Sequence, residues 1–223
     1  MTDERYSRTV KITGEAGLKR LREASVLIVG IGGVGSYAAE AIARAGIGNI
    51  SLMDGDSVQP SNLNRQLVAL TSTLGMNKAQ VMAGRIKDID PDTKTEVLPR
   101  FYRPDDELDL SAYNWIVDAI DDVEAKTALI CRARELGVDI VSAMGAAGKT
   151  GTDFVVADLA GTQVCPLAKV MRKRLRERGI EHLPVVYSTE KPVPRDGDLG
   201  TLSYVPGSAG LTLAGYVIRE ILE

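Results

Sequence analysis

The chain has little of what metal or thiol chemistry needs: two cysteines, Cys131 and Cys165, and one histidine, His182, in 223 residues. Two cysteines cannot build a disulfide framework or a four-cysteine zinc site, and their scarcity suits a reducing compartment. With one histidine and two separated cysteines no transition-metal site is expected, so zinc is not among the expected cofactors. Long apolar runs are also missing. No stretch is long enough to span a bilayer, and the N-terminus MTDERYSRTV carries charges where a signal peptide needs an apolar core. The expectation is a cytoplasmic protein without a membrane partner. Charge of one sign is not in excess either. Lys and Arg number 27 against 30 Asp and Glu, a net charge of -3, so any polyanion must bind a local patch and not the surface at large.

What is present begins with SVLIVGIGGVG, residues 25–35. Val26, Leu27, Ile28 and Val29 have the length and composition of a buried strand, and the run stops abruptly at glycines. Gly30, Gly32 and Gly35, with Gly33 between them, fit G-x-G-x-x-G, and residues 36–45 read as a helix of small side chains. A strand, a glycine turn and a helix start make a phosphate cradle, because the backbone can come close and the free N–H groups and helix dipole offset negative charge. A second strand at 49–53 closes on Asp54 and Asp56. An acidic residue at this strand end, roughly 20 residues past the glycines, is where such folds place a carboxylate on ribose hydroxyls. An ordinary turn aspartate is the alternative for Asp54.

Residues 57–73 are too long for a simple connection, which in a compact domain points to function, and they carry Asn62, Arg65 and Gln66. A helix is predicted over 77–90 with Lys78 in its first turn. A lysine there opposes the helix dipole unless an anion is near, which hints at a phosphate. Strands are predicted at 95–98, 114–120 and 138–142, with helices at 15–23 and 123–136. Such alternation predicts an α/β, Rossmann-like, mostly parallel sheet with helices on both faces. A C-terminal extension adds strands at 154–157 and 185–188 and helices at 167–178 and 210–221, with a mobile loop at 190–199.

We expect one domain over 1–223. Residues 1–24 form an N-terminal arm and helix, 25–143 the nucleotide-binding core, and 144–223 a substrate-facing half. Asp118 and Asp121 fall at the carboxyl edge of the sheet. Asp118 reads as a buried, hydrogen-bonded strand residue, whereas Asp121 is better placed to hold Mg²⁺ against phosphates. The 167–178 helix is strongly basic; Lys169, Arg172, Lys173 and Arg176 either form a polyanion-binding face or a solvated one.

Together GIGGVG, Asp54-x-Asp56, SNLNRQ, Lys78 and DAIDD resemble the ubiquitin-activating-enzyme-like adenylyltransferases, the group that contains ThiF, MoeB and HesA. The resemblance implies ATP as co-substrate, with Asp54 on the ribose, Asn62, Arg65 and Lys78 on the phosphates, and Asp121 holding Mg²⁺. It also implies a homodimer in which Arg8, in RYSR, reaches the partner subunit's ATP. The reaction implied is attack of a carboxylate on the α-phosphorus, with arginine, lysine and Mg²⁺ stabilising the developing charge. The two C-x-x-C pairs common in members that act on a ubiquitin-like tail are missing. The segments CPLAKVMRKRLRERGI, VVYSTEKPV and LSYVPGSAGLTLAGYVI look like the C-terminal half of the tRNA threonylcarbamoyladenosine dehydratase family.

That family implies adenylation of the threonylcarbamoyl carboxylate on a modified adenosine in tRNA, then ring closure within the same side chain. A tethered nucleophile removes the need for a cysteine relay. The basic helix would then meet the tRNA backbone. A cysteine desulfurase or sulfur-acceptor system is a further candidate partner, and binding of a monovalent cation is left open. Three alternatives remain: adenylation of a ubiquitin-like sulfur carrier, a nicotinamide oxidoreductase resting on the glycine loop and Asp54 alone, and a non-catalytic nucleotide-binding module.

Overall fold

The apolar runs become strands: β1 (Ser25–Val29), β2 (Asn49–Met53), β3 (Lys94–Leu98), β4 (Trp115–Asp118), β5 (Asp139–Ala143), β6 (Phe154–Asp158) and β7 (Pro184–Ser188). They are seen in a computed structural model that describes residues 3–194 and 199–223. One seven-stranded sheet contains them all, in the order β3-β2-β1-β4-β5-β7-β6. Every neighbouring pair is parallel except β6 and β7. Val26 pairs with Ile50 on one side and Trp115 on the other. Chain order therefore reverses at β1, running outward through β2 and β3 and then back through β4 and β5. In open α/β sheets the crevice at such a reversal, beyond the carboxyl ends of the strands, is where ligands bind.

Among the described residues six α-helices cover the sheet: α1 (Ser7–Glu23), α2 (Gly35–Ala45), α3 (Lys78–Ile89), α4 (Val123–Leu136), α5 (Pro166–Arg176) and α6 (Val205–Leu222). Successive strand residues point to opposite faces, so Leu27 and Ile28 enter different cores. Ile28 packs with Ile42, Leu52, Met82 and Leu213, from α2, β2, α3 and α6. Leu27 packs with Met53, Ile116, Leu129 and Met171, reaching α4 and α5. Burial on both faces is why the central strands read as continuous apolar runs and not as alternating ones. Among the described residues no helix is long and apolar enough to cross a membrane.

Four boundaries differ from expectation by two residues or more. Helix α1 starts at Ser7 and not at residue 15; Gly14 interrupts it at φ 69, and this break concealed the first turns. Its entry is clamped instead by Asp90, which accepts from Tyr6, Arg5 and Arg22. Helix α6 begins at Val205, five residues before the expected 210. Pro206 fits its first turn, and Gly210 serves close packing: a Cβ there would lie 2.3 Å from the Val34 carbonyl oxygen on α2's entry. Helix α5 ends at Arg176, short of 178. Strand β4 is only 115–118, because Ala119 and Ile120 leave the sheet and turn into the crevice. Of the expected loop at 190–199, residues 195–198 lie outside the described residues.

Candidate active site

At the reversal point lies a cleft of about 730 Å³. Its floor is the β1 to α2 turn. Gly30 takes φ +90, and a Cβ on it would stand 2.6 Å from the Ala119 carbonyl oxygen beyond β4. A Cβ on Gly35 would fall 1.7 Å from the Gly30 carbonyl oxygen, so only glycine lets α2 start this close to the strand. Gly32 differs from both. The nearest atom to a Cβ there is the Gln66 side-chain nitrogen at 3.8 Å, so the space beyond Gly32 is cleft. Gly33 lies against Pro206 at the start of α6.

Asp54 follows β2 and is 7% exposed. Its carboxylate accepts from the Ile31 N–H at 2.6 Å and the Asp56 N–H at 2.8 Å. Burial pushes its pKa up, opposed by those two N–H groups and by the Lys78 charge. Each oxygen keeps a lone pair for a sugar hydroxyl. Lys78 is buried at the start of α3, where its Nζ lies 2.9 Å from Asp56 Oδ2. The anion its position called for is thus supplied in this chain by Asp56. Asn77 caps the same helix and ties it to the loop by donating to the main-chain oxygens of Asp54 and Asp56.

The long loop places Asn62, Arg65 and Gln66 on the adjoining wall. Asn62 is buried, with Oδ1 accepting from the Gln59 N–H and its amide group left to face the cleft. Arg65 is half-buried and donates from Nη1 to the Ser61 carbonyl and the Asn64 side-chain oxygen. Gln66 is 8% exposed, and its Oε1 is an orphan, buried with no hydrogen-bond partner. An unpaired buried acceptor inside a cleft marks a place where a ligand donor or water completes the site. Asp121 and Asp122 form the opposite lip. Asp122 caps α4 by accepting from the Ala125 N–H, so Asp121 is the carboxylate free for other work.

The loop that carries Asp121 is held from beneath. Asp118 and Lys126, both fully buried, pair at 2.9 Å. Asp118 also accepts from the Ile120 N–H and from Ser142, while Lys126 donates to the Ile120 carbonyl. The strand-residue reading of Asp118 holds, and Lys126 is the support that sequence reasoning missed. Its only signal was a lysine in an otherwise apolar stretch of α4. Also missed was the wall formed by Arg100, Phe101, Arg103 and Pro104 after β3. Phe101 is 53% exposed and covers Gly55. The stretch RFYRP, aromatics set between arginines just past a strand end, carried that signal.

Ten of the expected site residues line this one cleft: Gly30, Gly32, Gly33, Asp54, Asp56, Asn62, Arg65, Gln66, Lys78 and Asp121. Gly35 lies behind it. Arg8 is not brought there; it is exposed on α1 and lines no part of the cleft. On α5, Lys169, Lys173 and Arg176 are exposed, whereas Arg172 is half-buried and donates to the Thr162 and Leu159 carbonyls. Among the described residues no cluster of three His, Cys, Asp or Glu could hold a metal ion by itself.

Residues 6–223 match the ThiF family. The chain belongs to that family. Its curated relatives include the tRNA threonylcarbamoyladenosine dehydratase of Bacillus subtilis, 36% identical over 98% of this chain and 94% of that protein. The Escherichia coli dehydratase is 39% identical over 92% of this chain and 81% of its own length. Among solved structures, the E. coli dehydratase TcdA in complex with ATP superimposes with a TM-score of 0.90 at 37% identity, covering 97% of this chain and 93% of that one. The same enzyme in complex with AMP matches equally well. As a ThiF-family chain, this protein has the expected fold class, a mostly parallel α/β sheet of the Rossmann type.

Proposed function

We propose that this chain is an ATP-dependent tRNA threonylcarbamoyladenosine dehydratase, which adenylates the carboxylate of the modified adenosine and closes it into a ring with net loss of water. The observation that carries this reading is near full-length similarity to dehydratases combined with a cleft in which the matched phosphate, ribose and Asp121 positions converge. ATP fits the residues present. The free space beyond Gly32, the start of α2 and the buried Asp54 suit a polyphosphate and a ribose. Phe101 and Pro104 give the base an apolar, aromatic wall.

In the first step a carboxylate oxygen bonds to the α-phosphorus and pyrophosphate leaves with the bonding electrons. Arg65 and Lys78 stabilise the charge that grows on the phosphoryl oxygens and leaving group, Arg65 through a planar fork and Lys78 as a point charge. Lys78 must exchange its Asp56 contact for phosphate, which a half-exposed partner permits. Asp121 supplies one hard oxygen, the kind of protein ligand Mg²⁺ takes when substrate phosphates and water complete its shell. Bound there, Mg²⁺ adds Lewis-acid stabilisation of the same charge. In the second step an atom of the same side chain bonds to the activated carbonyl carbon, the bond from that carbon to the AMP oxygen breaks so that AMP leaves, and the attacking atom's proton passes to solvent. Positioning thereby replaces a covalent relay.

Arg8 completes the site from the other subunit of a homodimer, consistent with its exposure on α1 and its distance in sequence from the cleft. The exposed Lys169, Lys173 and Arg176 meet the tRNA backbone, and the enzyme works in the cytoplasm. Pyrophosphate and AMP release, measured with modified and unmodified tRNA, tests the reading. Only the modified tRNA should support release, and Lys78→Ala and Arg65→Ala should each lower it by about 10²- to 10³-fold with the fold intact. Equal release with a ubiquitin-like carrier tail and none with tRNA would overturn it.

A further inference from the structure

Three lysines in this chain are buried: Lys78, Lys126 and Lys149, with exposures of 5%, 0% and 4%. Two of them have a carboxylate, Lys78 with Asp56 and Lys126 with Asp118. Lys149 has none among the described residues; its ammonium donates to the main-chain oxygen of Glu190. The Glu190 carboxylate is engaged elsewhere, accepting from the N–H groups of Thr150 and Gly151 and from the Thr150 hydroxyl. A buried ammonium in no direct ion pair is costly, and burial pushes the Lys149 pKa down against the opposing pull of Cys165 and Glu190. A buried, perturbed cation of this kind beside a cleft marks a functional-site candidate.

Lys149 faces a second cavity, of about 370 Å³. Met144, Cys165, Leu167, Pro192 and Leu199 give it apolar walls, and its charged lining residues are Lys149 and, on the side of the ATP cleft, Asp121. Its remaining wall is shared with the ATP cleft: Val34, the 119–121 loop and residues 146–147 line both. Any group seated in it therefore borders the phosphate cradle across this shared wall, which includes the loop that carries Asp121. A mainly apolar pocket with a single cation fits a small monoanion on an uncharged stem, not a phosphate, which needs several donors.

We propose that this second cavity is the acceptor subsite, where Lys149 binds the carboxylate to be adenylated and Met144, Leu167 and Leu199 pack its stem. The inference rests on the adenylation reading and deepens it. One carboxylate oxygen stays on Lys149 while the other bonds to the α-phosphorus, and the bond from that phosphorus to the pyrophosphate oxygen breaks. The carboxylate enters ionised, so no proton moves in this step and Lys149 orients without acting as acid or base.

The test compares the full-length wild type with Lys149→Met, using ATP, Mg²⁺ and tRNA bearing the threonylcarbamoyl group. Three quantities are read: Kd for ATP alone, KM for the tRNA, and melting temperature. Loss of a charged hydrogen bond should raise KM for tRNA on the order of 10- to 100-fold, leave the ATP Kd within about two-fold, and raise or preserve the melting temperature because an uncompensated charge is gone. A tRNA KM equal to that of the wild type overturns the subsite. A second measurement needs no variant: the free threonylcarbamoyl nucleoside should inhibit the wild type, and its methyl ester should inhibit far more weakly. An ester as potent as the acid also overturns the proposal. A wild type that releases no AMP with modified tRNA sinks instead the adenylation reading beneath it, so the two failures are distinct.

Discussion

Replacing Lys126 with methionine should separate stability from catalysis in this fold. Lys126 and Asp118 are both fully buried, and the ammonium makes two contacts of 2.9 Å, to Asp118 Oδ2 and to the Ile120 carbonyl. At that distance and an effective dielectric of about 20, the gross attraction is about 6 kcal/mol, much of it offset by the desolvation of both ions. Removing one partner is worse than removing both, because Asp118 is left as a charge with no cation. We therefore expect Lys126→Met to lose about 3–5 kcal/mol, read in urea as a lower midpoint with an unchanged slope. Asp118→Asn should cost a similar amount by stranding Lys126. In the double variant both charges are gone and the Asn oxygen can still accept from Ile120. Its loss should be smaller than the sum of the two single losses by about 2 kcal/mol or more. AMP release should nevertheless stay low in the double variant, because the Ile120 carbonyl has lost its donor and the Asp121 loop its anchor. The reasoning fails if Lys126→Met unfolds within about 1 kcal/mol of wild type, or if the single losses simply add.

Other expectations follow from the same geometry. Gly32→Ala should fold with a near-normal melting temperature but bind ATP more weakly, since its Cβ points into the cleft. Gly35→Ala should instead lower the melting temperature sharply, because that Cβ would lie 1.7 Å from the Gly30 oxygen. Changing Lys169, Lys173 and Arg176 to glutamate should weaken tRNA binding and flatten its salt dependence while the ATP Kd holds. Arg172→Glu should in addition lower the melting temperature through the lost contacts to Thr162 and Leu159. Asp90 gives a pH signature. Burial raises its pKa, but hydrogen bonds from Tyr6, the Asp92 N–H and Arg22 outweigh that and bring it down to about 2. Because the folded pKa is depressed, the stabilisation is present above about pH 4 and is lost as pH falls towards 2. Asp90→Asn should be destabilised at neutral pH and should lose less stability than wild type across that acid window, as followed by circular dichroism.

The parts of the site that were legible in the sequence are those written in local chemistry. A buried strand ending in glycines, an acidic pair ending the next strand, and a lysine at a helix start each carry their own reason, and all of them line one cleft. What stayed hidden depends on contacts between distant segments. Lys126 could be understood only beside Asp118, and Arg172 looked like one more surface cation until Thr162 was seen against it. Lys149 carries no local signal either, since nothing in GKTGT reveals that the side chain is buried. The early start of α1 was masked by Gly14, and that of α6 by a proline and glycines that read as breakers but serve close packing on α2.

The segment after β5 and the segment before α6 are stitched together: Gly148 donates to Gly200, Val193 to Gly148, and the Tyr204 hydroxyl to Thr150. Asn64, beside Arg65, joins them by donating to Thr201. The pieces that would meet the acceptor therefore form one hydrogen-bonded block, tied to the long loop of the nucleotide half through Asn64. Within such a scaffold, evolution or an engineer can exchange what is activated without rewriting how activation is done, provided both stretches are transplanted at once.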